Sequence, residues 1–395
     1  MPSRNRIIYQ SKSLHVGPTG CTGMHFNSGN SGFNLITTLH RVQSLNHDWS
    51  VNRLNINQFG ELAAIDRVII DSPTVTLGFS YILANLSNEK KMGFTVDNSA
   101  NCLSGLSKRN TERNYFVKVV EEGIDAVGDA TVSTGIMTRG FGNCFLTSYS
   151  TQGAVGGLPT ADVRLEGLNM TLKTGVHGTL PAVDPINGTQ VTQFVYTLPT
   201  STSNAAATGD FDIAALRPGD ITLTFAKRDA EDEGILSTAT GVYDLFGPNL
   251  ADSEARIQSY TLSFDMARDA VQKLGSRFAV SREIRFPIDV NLSVDVVATD
   301  LTTGVLFALI NCDNSYDVKI KLFKPDGCSA SARTSIIEYN LKNAKINGQS
   351  FSNGIGDNET VKLDFTAQMG GPGQSNVGLY LSGLHTGVWY NNIWY

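Results

Sequence analysis

The sequence predicts a mainly β protein made of two tandem homologous β-sandwich or half-barrel domains with short helices. Three observations predict it. A long block of the first half recurs without gaps in the second. The recurring blocks alternate apolar and polar residues with the period of two that marks half-buried strands. Helix signals are few.

The repeat sets the organisation. Segment 41–85 lies on 256–300 at a constant offset of 215, and 10 of the 45 positions are identical. Arg41/Arg256, Gln43/Gln258, Arg53/Arg268, Gly60/Gly275, Arg67/Arg282 and Leu77/Leu292 are among them, and Trp49/Phe264 is a conservative pair. A second block, 155–168 on 355–368, follows at offset 200. Both blocks keep their order, which gives domains at 1–195 and 210–395 joined by a small, polar linker at 196–209.

The elements follow in order. Val75, Leu77, Phe79 and Tyr81 alternate with smaller or polar residues, and Val290, Leu292, Val294 and Val296 do so in the second copy. Tyr260, Leu262 and Phe264 mark a strand, as do Val163 with Leu165 and Val361, Leu363 and Phe365. Asp265–Leu274, closed by Gly275, reads as a helix of about two to three turns with a glycine C-cap. Glu112–Asp125 is a second helix candidate, although Tyr115–Val120 reads equally as a strand.

Composition narrows the function. Charged residues are 17% of the 395, with 38 Gly and 12 Pro, which excludes a disordered or collagenous chain. The net charge of −6 disfavours a tight grip on nucleic acid. It is uneven: residues 1–195 hold 15 basic and 14 acidic groups (+1), leaving 16 and 23 (−7) for the rest. The five cysteines, at 21, 102, 144, 312 and 328, are widely spaced and read as thiols rather than a disulfide or zinc framework. The polar N-terminus does not read as a signal peptide, and no apolar run is long enough to span a membrane. There is no GxSxG, Walker, GxGxxG or HExxH motif. His47 reads as a sheet histidine, and a metal site at His15, Cys21 and His25 is a minor alternative. We therefore expect no catalytic, metal-binding or cofactor-binding residues, no cofactor and no enzyme.

Two strings carry a resemblance. Ile257–Val296, with its Gln-Ser strand start, Leu-Gly-Ser-Arg turn and Phe286-Pro287 strand entry, resembles bacteriophage major tail tube proteins. So does Ile336–Met369, with Gly-Asp-Asn-Glu-Thr ahead of an alternating strand; Ala154–Asn169 holds the matching place in the first half but lacks the Asp-Asn-Glu. The two blocks and their first-half counterparts cover about half of the chain.

The resemblance implies a structural virion protein that self-assembles into stacked rings, forming the tube through which the genome is ejected. Each such ring presents six tube folds, so a duplicated chain implies three chains per ring. The implied partners are the chain itself, other tail proteins (a terminator, a baseplate or tip, a sheath) and transiently passing phage DNA, with no membrane. The implied location is the virion tail, assembled in the host bacterial cytoplasm. Lumen-facing candidates on the polar strand faces are Thr74, Thr76, Ser80, Asp162, Glu166, Asp289, Asn291, Ser293, Asp295 and Asp364. Inter-ring candidates are Arg53, Leu54, Ile56, Phe59, Arg268, Val271 and Leu274. The aromatic tail offers Trp389, Tyr390 and Trp394 as terminal interface candidates, and Gly17–Gly32 is a further one. Alternative readings are a two-domain β-sandwich binding protein and another tail- or capsid-associated protein, such as a terminator, hub or decoration.

Overall fold

The computed structural model describes residues 7–19, 36–98, 100–107, 111–127, 136–184, 188–191, 195–199, 215–228, 256–297, 315–324, 335–353, 358–371, 374 and 376–385. The first half contains β1 (Lys12–Pro18), β2 (Thr37–Leu39), β3 (Val42–Ser50), β4 (Arg53–Ile56), β5 (Asp66–Ile69), β6 (Thr74–Ile82) and helix α1 (Ser87–Met92). It continues with β7 (Arg113–Val119), β8 (Met137–Ala154), β9 (Thr160–Gly167) and β10 (Asn169–Thr174). Four short strands close it: β11 (His177–Thr179), β12 (Val183–Asp184), β13 (Thr189–Gln190) and β14 (Val195–Thr197). The second half contains β15 (Ile221–Arg228), β16 (Ile257–Asp265), β17 (Arg268–Val271), β18 (Ser281–Ile284) and β19 (Asp289–Val297). It ends with β20 (Ser315–Phe323), β21 (Ser335–Ser352), β22 (Thr360–Gln368) and β23 (Gly378–Gly383).

The chain is mainly β and antiparallel, as expected, and forms a two-layer sandwich. One layer runs β3-β6-β9-β8-β16-β19-β22-β21. The other contains β2-β1-β7-β8-β10 in the first half and β15-β20-β21-β23 in the second. β8 and β21, 18 residues each, belong to both layers. β8 pairs β7 and β10 through its first half, then crosses to pair β9 and β16. Strand order repeats between the halves: β3-β6-β9-β8 has the same sequence of pairings as β16-β19-β22-β21.

Alternation dictates the core. In β6, Val75, Leu77, Phe79 and Tyr81 point inward at 1–3% exposure. They share one apolar cluster with Leu14, Val16 and Val117 of the other layer, and with Leu292, Val294 and Leu363 of the second half. Helix α1 sits in this core, and the residues flanking it make cross-half contacts: Leu86 N–H donates to Leu384 O, and Val96 bridges Leu381.

Two sequence expectations are corrected. Asp265–Leu274 is not a helix. It is the end of β16, strand β17 and the start of a turn, because Arg268–Val271 pairs with Ser281–Ile284 as a hairpin arm. Gly275 is a turn glycine at φ +87, matching Gly60 at φ +91 in the β4–β5 turn. Glu112–Asp125 contains strand β7, whose residues from Asn114 to Val119 are all buried. The proposed linker lies outside the described residues beyond Pro199.

Candidate assembly interface

The eight-stranded layer turns its apolar face to the core and its other face outward. Cross-strand register builds that outer face mainly from polar residues. One row runs Ser44, Ser80, Asp162, Ser150, Ser263, Asn291, Thr366 and Lys345. The ten lumen-facing candidates, Thr74, Thr76, Ser80, Asp162, Glu166, Asp289, Asn291, Ser293, Asp295 and Asp364, all fall on this face. Neighbouring hydroxyls and carboxylates bond across strands: Ser44 with Ser80 at 2.6 Å, Ser259 to Asp295, and Ser293 to Asp364. Among the described residues of this face, seven carboxylates (Asp48, Asp162, Glu166, Asp265, Asp289, Asp295, Asp364) outnumber three cations (Arg164, Lys345, Lys362), a balance of −4. It is an acidic, hydroxyl-rich surface; the aromatic Phe145, paired opposite Glu166, is buried there at 8% exposure.

The layer is continuous across the halves because β8 pairs with β16, from Ser259↔Ala154 to Asp265↔Ser148. Gly153 permits the approach: a Cβ there would lie 2.6 Å from the Tyr260 ring. The outer edges of the layer are β3 and the last part of β21, residues 345–352. Among the described residues, β3 pairs only β6, and that part of β21 pairs only β22. Offset 215 sets β3 on β16, and offset 200 sets this part of β21 on β8. The edges therefore carry the counterparts of the two strands that meet in the middle.

Burial differs at those counterparts. Phe264, inside the junction, is 1% exposed; Trp49, at the same place in β3, is 62% exposed. Thr151 is fully buried, whereas Phe351 is 62% exposed. Sequence reasoning noted Trp49 only as a conservative match and passed over Phe351. A signal was available: both sit at core-facing positions of alternating strands.

The inter-ring candidates fall on two hairpins of the same design. β4–β5 pairs Arg53↔Ile69 to Ile56↔Asp66, and β17–β18 pairs Arg268↔Ile284 to Val271↔Ser281. In each, the first arginine donates to the carbonyl of the second, Arg53 to Arg67 O and Arg268 to Arg282 O. Their surroundings differ. β17–β18 lies over the first half: the Arg268 guanidinium stands 4.6 Å from the Phe145 ring centre and donates to Leu106 O, and Arg282 pairs with Glu166. Burial lowers the Arg268 pKa to about 10 and raises that of Glu112, whose carboxylate accepts from Asn143. In β4–β5, by contrast, every strand residue is exposed, including Arg53, Leu54 and Ile56. The turn residues Phe59 and Leu274 are both fully exposed, and Val271 is exposed too.

Trp389, Tyr390 and Trp394 lie outside the described residues, as does 20–32 of the N-terminal candidate. His15 is buried, with its ring nitrogens bonded to Ser13 Oγ and Thr38 Oγ1; Cys21 and His25 lie outside the described residues. His47 sits on β3, its ring against Phe141 and Nε2 3.0 Å from Arg139. No group of three or more metal-ligating side chains occurs among the described residues.

A buried acid ties the halves together. Glu89 of α1 accepts from Tyr81 at 2.7 Å and from Tyr149 at 3.0 Å, and Tyr149 is 3.2 Å from Tyr339 of the second half. Burial pushes the Glu89 carboxyl up to about 7 against the pull of these hydrogen bonds. Nothing in the sequence pattern marks this residue.

No protein-family model and no curated protein matches the chain. Among solved structures, a chain of the cryo-EM structure of the anti-feeding prophage baseplate, six-fold symmetrised, is similar over 32% of this chain and 79% of its own, at 8% identity and a TM-score of 0.21. At that score the likeness carries no argument about function.

Proposed function

We propose that the protein is a structural component of a phage tail, with two duplicated tube-type domains, and that it closes head-to-tail into rings of three chains that stack into a tail tube. The observation that carries this is the β8–β16 junction. It joins the last strand of the first four to the first strand of the next four, and the same two strand types stand free at the outer edges. Repeating the junction between chains pairs β21 with β3 of the next chain. In the register of β8–β16, Trp49 comes opposite Gln349 and His47 opposite Phe351. Both exposed aromatics then enter the core layer, where each buries on the order of 150–250 Å². An exposed edge is otherwise a template for unwanted pairing, and a heterologous contact that closes avoids it.

The resemblance implies six four-stranded units per ring, hence three chains and 24 strands. Barrels of roughly 16–18 strands already leave an aqueous channel, so this ring has an open lumen. The polar face lines it, and a balance of −4 per chain repels phosphate and lets DNA slide. The exposed tips Phe59 and Leu274 make contacts between rings.

The test is negative-stain electron microscopy of the purified chain at high concentration, with two-dimensional averaging. Hollow rings or tubes with three-fold or six-fold end views are expected. Monodisperse monomers at every concentration, with or without other tail proteins, would overturn the proposal.

A further inference from the structure

The β17–β18 hairpin shows how a hairpin of this design is received by the unit beside it. Its turn residues Gln272, Ser276, Arg277 and Phe278 share a cleft with Ile69–Pro73, the base of the β4–β5 hairpin. Within that cleft Arg277 and Asp71 supply opposite charges. Subtracting the offset of 215 carries Gln272, Ser276, Arg277 and Phe278 to Asn57, Glu61, Leu62 and Ala63. Adding it carries 69–73 to Ile284, Arg285, Phe286, Pro287 and Ile288. Where the internal cleft holds Arg277 and Asp71, the equivalent positions hold Leu62 and Phe286. Both are exposed, at 110% and 64%. The two places differ together: opposite charges line the internal cleft, and two apolar side chains stand at the equivalent positions.

The rest of the β4–β5 arm has changed in the same direction. Asp269 and Arg285 form an exposed ion pair on β17–β18. Their counterparts Leu54 and Ile70 are apolar, at 55% and 52% exposure. With Ile56, Ile65, Val68 and Ile69 also exposed, the arm carries an apolar surface of the kind that marks a protein contact.

We infer that the β4–β5 hairpin docks sideways on the next chain of the same ring, with Leu62 of its turn against Phe286 at the base of that chain's β17–β18 hairpin. The occupant is a second copy of this chain, because the seating of β17–β18 against the first half, with the cleft they share, supplies the template. This inference rests on the ring reading above and adds a clasp to it: the arginine-bearing arms lie within a ring, and only the tips Phe59 and Leu274 remain for the neighbouring ring.

The experiment is the double variant Leu62→Cys, Phe286→Cys, assembled and then oxidised, with each single variant as control. Non-reducing electrophoresis is expected to show covalent dimers and trimers that stop at three chains, since three links close the ring; the single variants stay monomeric. Rings or tubes that form normally but give no cross-link overturn the inference and leave the ring reading standing. Ladders that run past three chains overturn it too, because they place the contact between rings. Failure of the wild-type chain to form rings sinks the ring reading and the inference with it. A charge exchange supplies a second arm: Leu62→Glu should reduce the ring fraction several-fold, and adding Phe286→Arg should restore it. Equal ring fractions in all three proteins would contradict the clasp.

Discussion

Glu89 is a carboxylic acid whose ionisation the fold resists. Its carboxyl is buried beside three tyrosines, one from the other half of the chain, and Oε2 has no hydrogen-bond partner. An acid with a raised folded-state pKa binds more protons folded than unfolded. Stability from this site is therefore greatest below the ordinary value of 4.5, falls as pH rises, and levels off above about 7. We predict that Glu89→Gln, which keeps the acceptor for Tyr81, removes this slope. The variant should exceed wild type by on the order of 3 kcal/mol near pH 8 and match it near pH 4.5. Chemical denaturation across that range measures it; parallel curves for the two proteins would refute the assignment.

Strands and hairpins explain both what the sequence revealed and what it hid. Val75–Tyr81 and Val290–Val296 were legible because each buries one face and wets the other, so alternation survives in the residues. β8 was not. Residues 140–146 are all buried, since the strand crosses between layers there and has no solvent face to impose a period. Asp265–Leu274 misled for the opposite reason: β17 is largely exposed, and Ala270, Gln272, Lys273 and Leu274 favour helices when no packing opposes them. The ten polar-face candidates were readable one strand at a time. That they form one surface was not, because the β8–β16 pairing joins residues more than a hundred positions apart. The edge strands give the prediction at this scale. Trp49→Lys or Phe351→Lys should shift the melting temperature of the monomer by no more than about 2–4 °C, as exposed substitutions do. Either should lower the assembled fraction at least tenfold by sedimentation. Normal assembly of both variants would remove these strands from the ring contact.

The whole molecule presents a wall on one side and a closed core on the other. On the proposed reading, the wall's charge governs how DNA passes. Replacing Asp289, Asp295 and Asp364 with Lys changes the charge by +6 per chain (three replacements of +2 each), turning the face from −4 to +2. Particles built from this variant should eject DNA several-fold more slowly, with the deficit shrinking as salt rises. Unchanged ejection from normally assembled particles would take the three residues out of the lumen.

On the proposed reading, the junction between β8 and β16 has a kinetic meaning as well. A ring nucleated from six separate units has a start whose rate falls with about the sixth power of dilution. Where every second contact is made within one chain, the two units meet at an effective concentration set by their tether, and the exponent drops to about three. A tail built this way can begin from a sparse pool of subunits. Its six walls, moreover, alternate between two chemistries, so whatever docks on the end of the tube meets a three-fold pattern of handholds rather than a six-fold one.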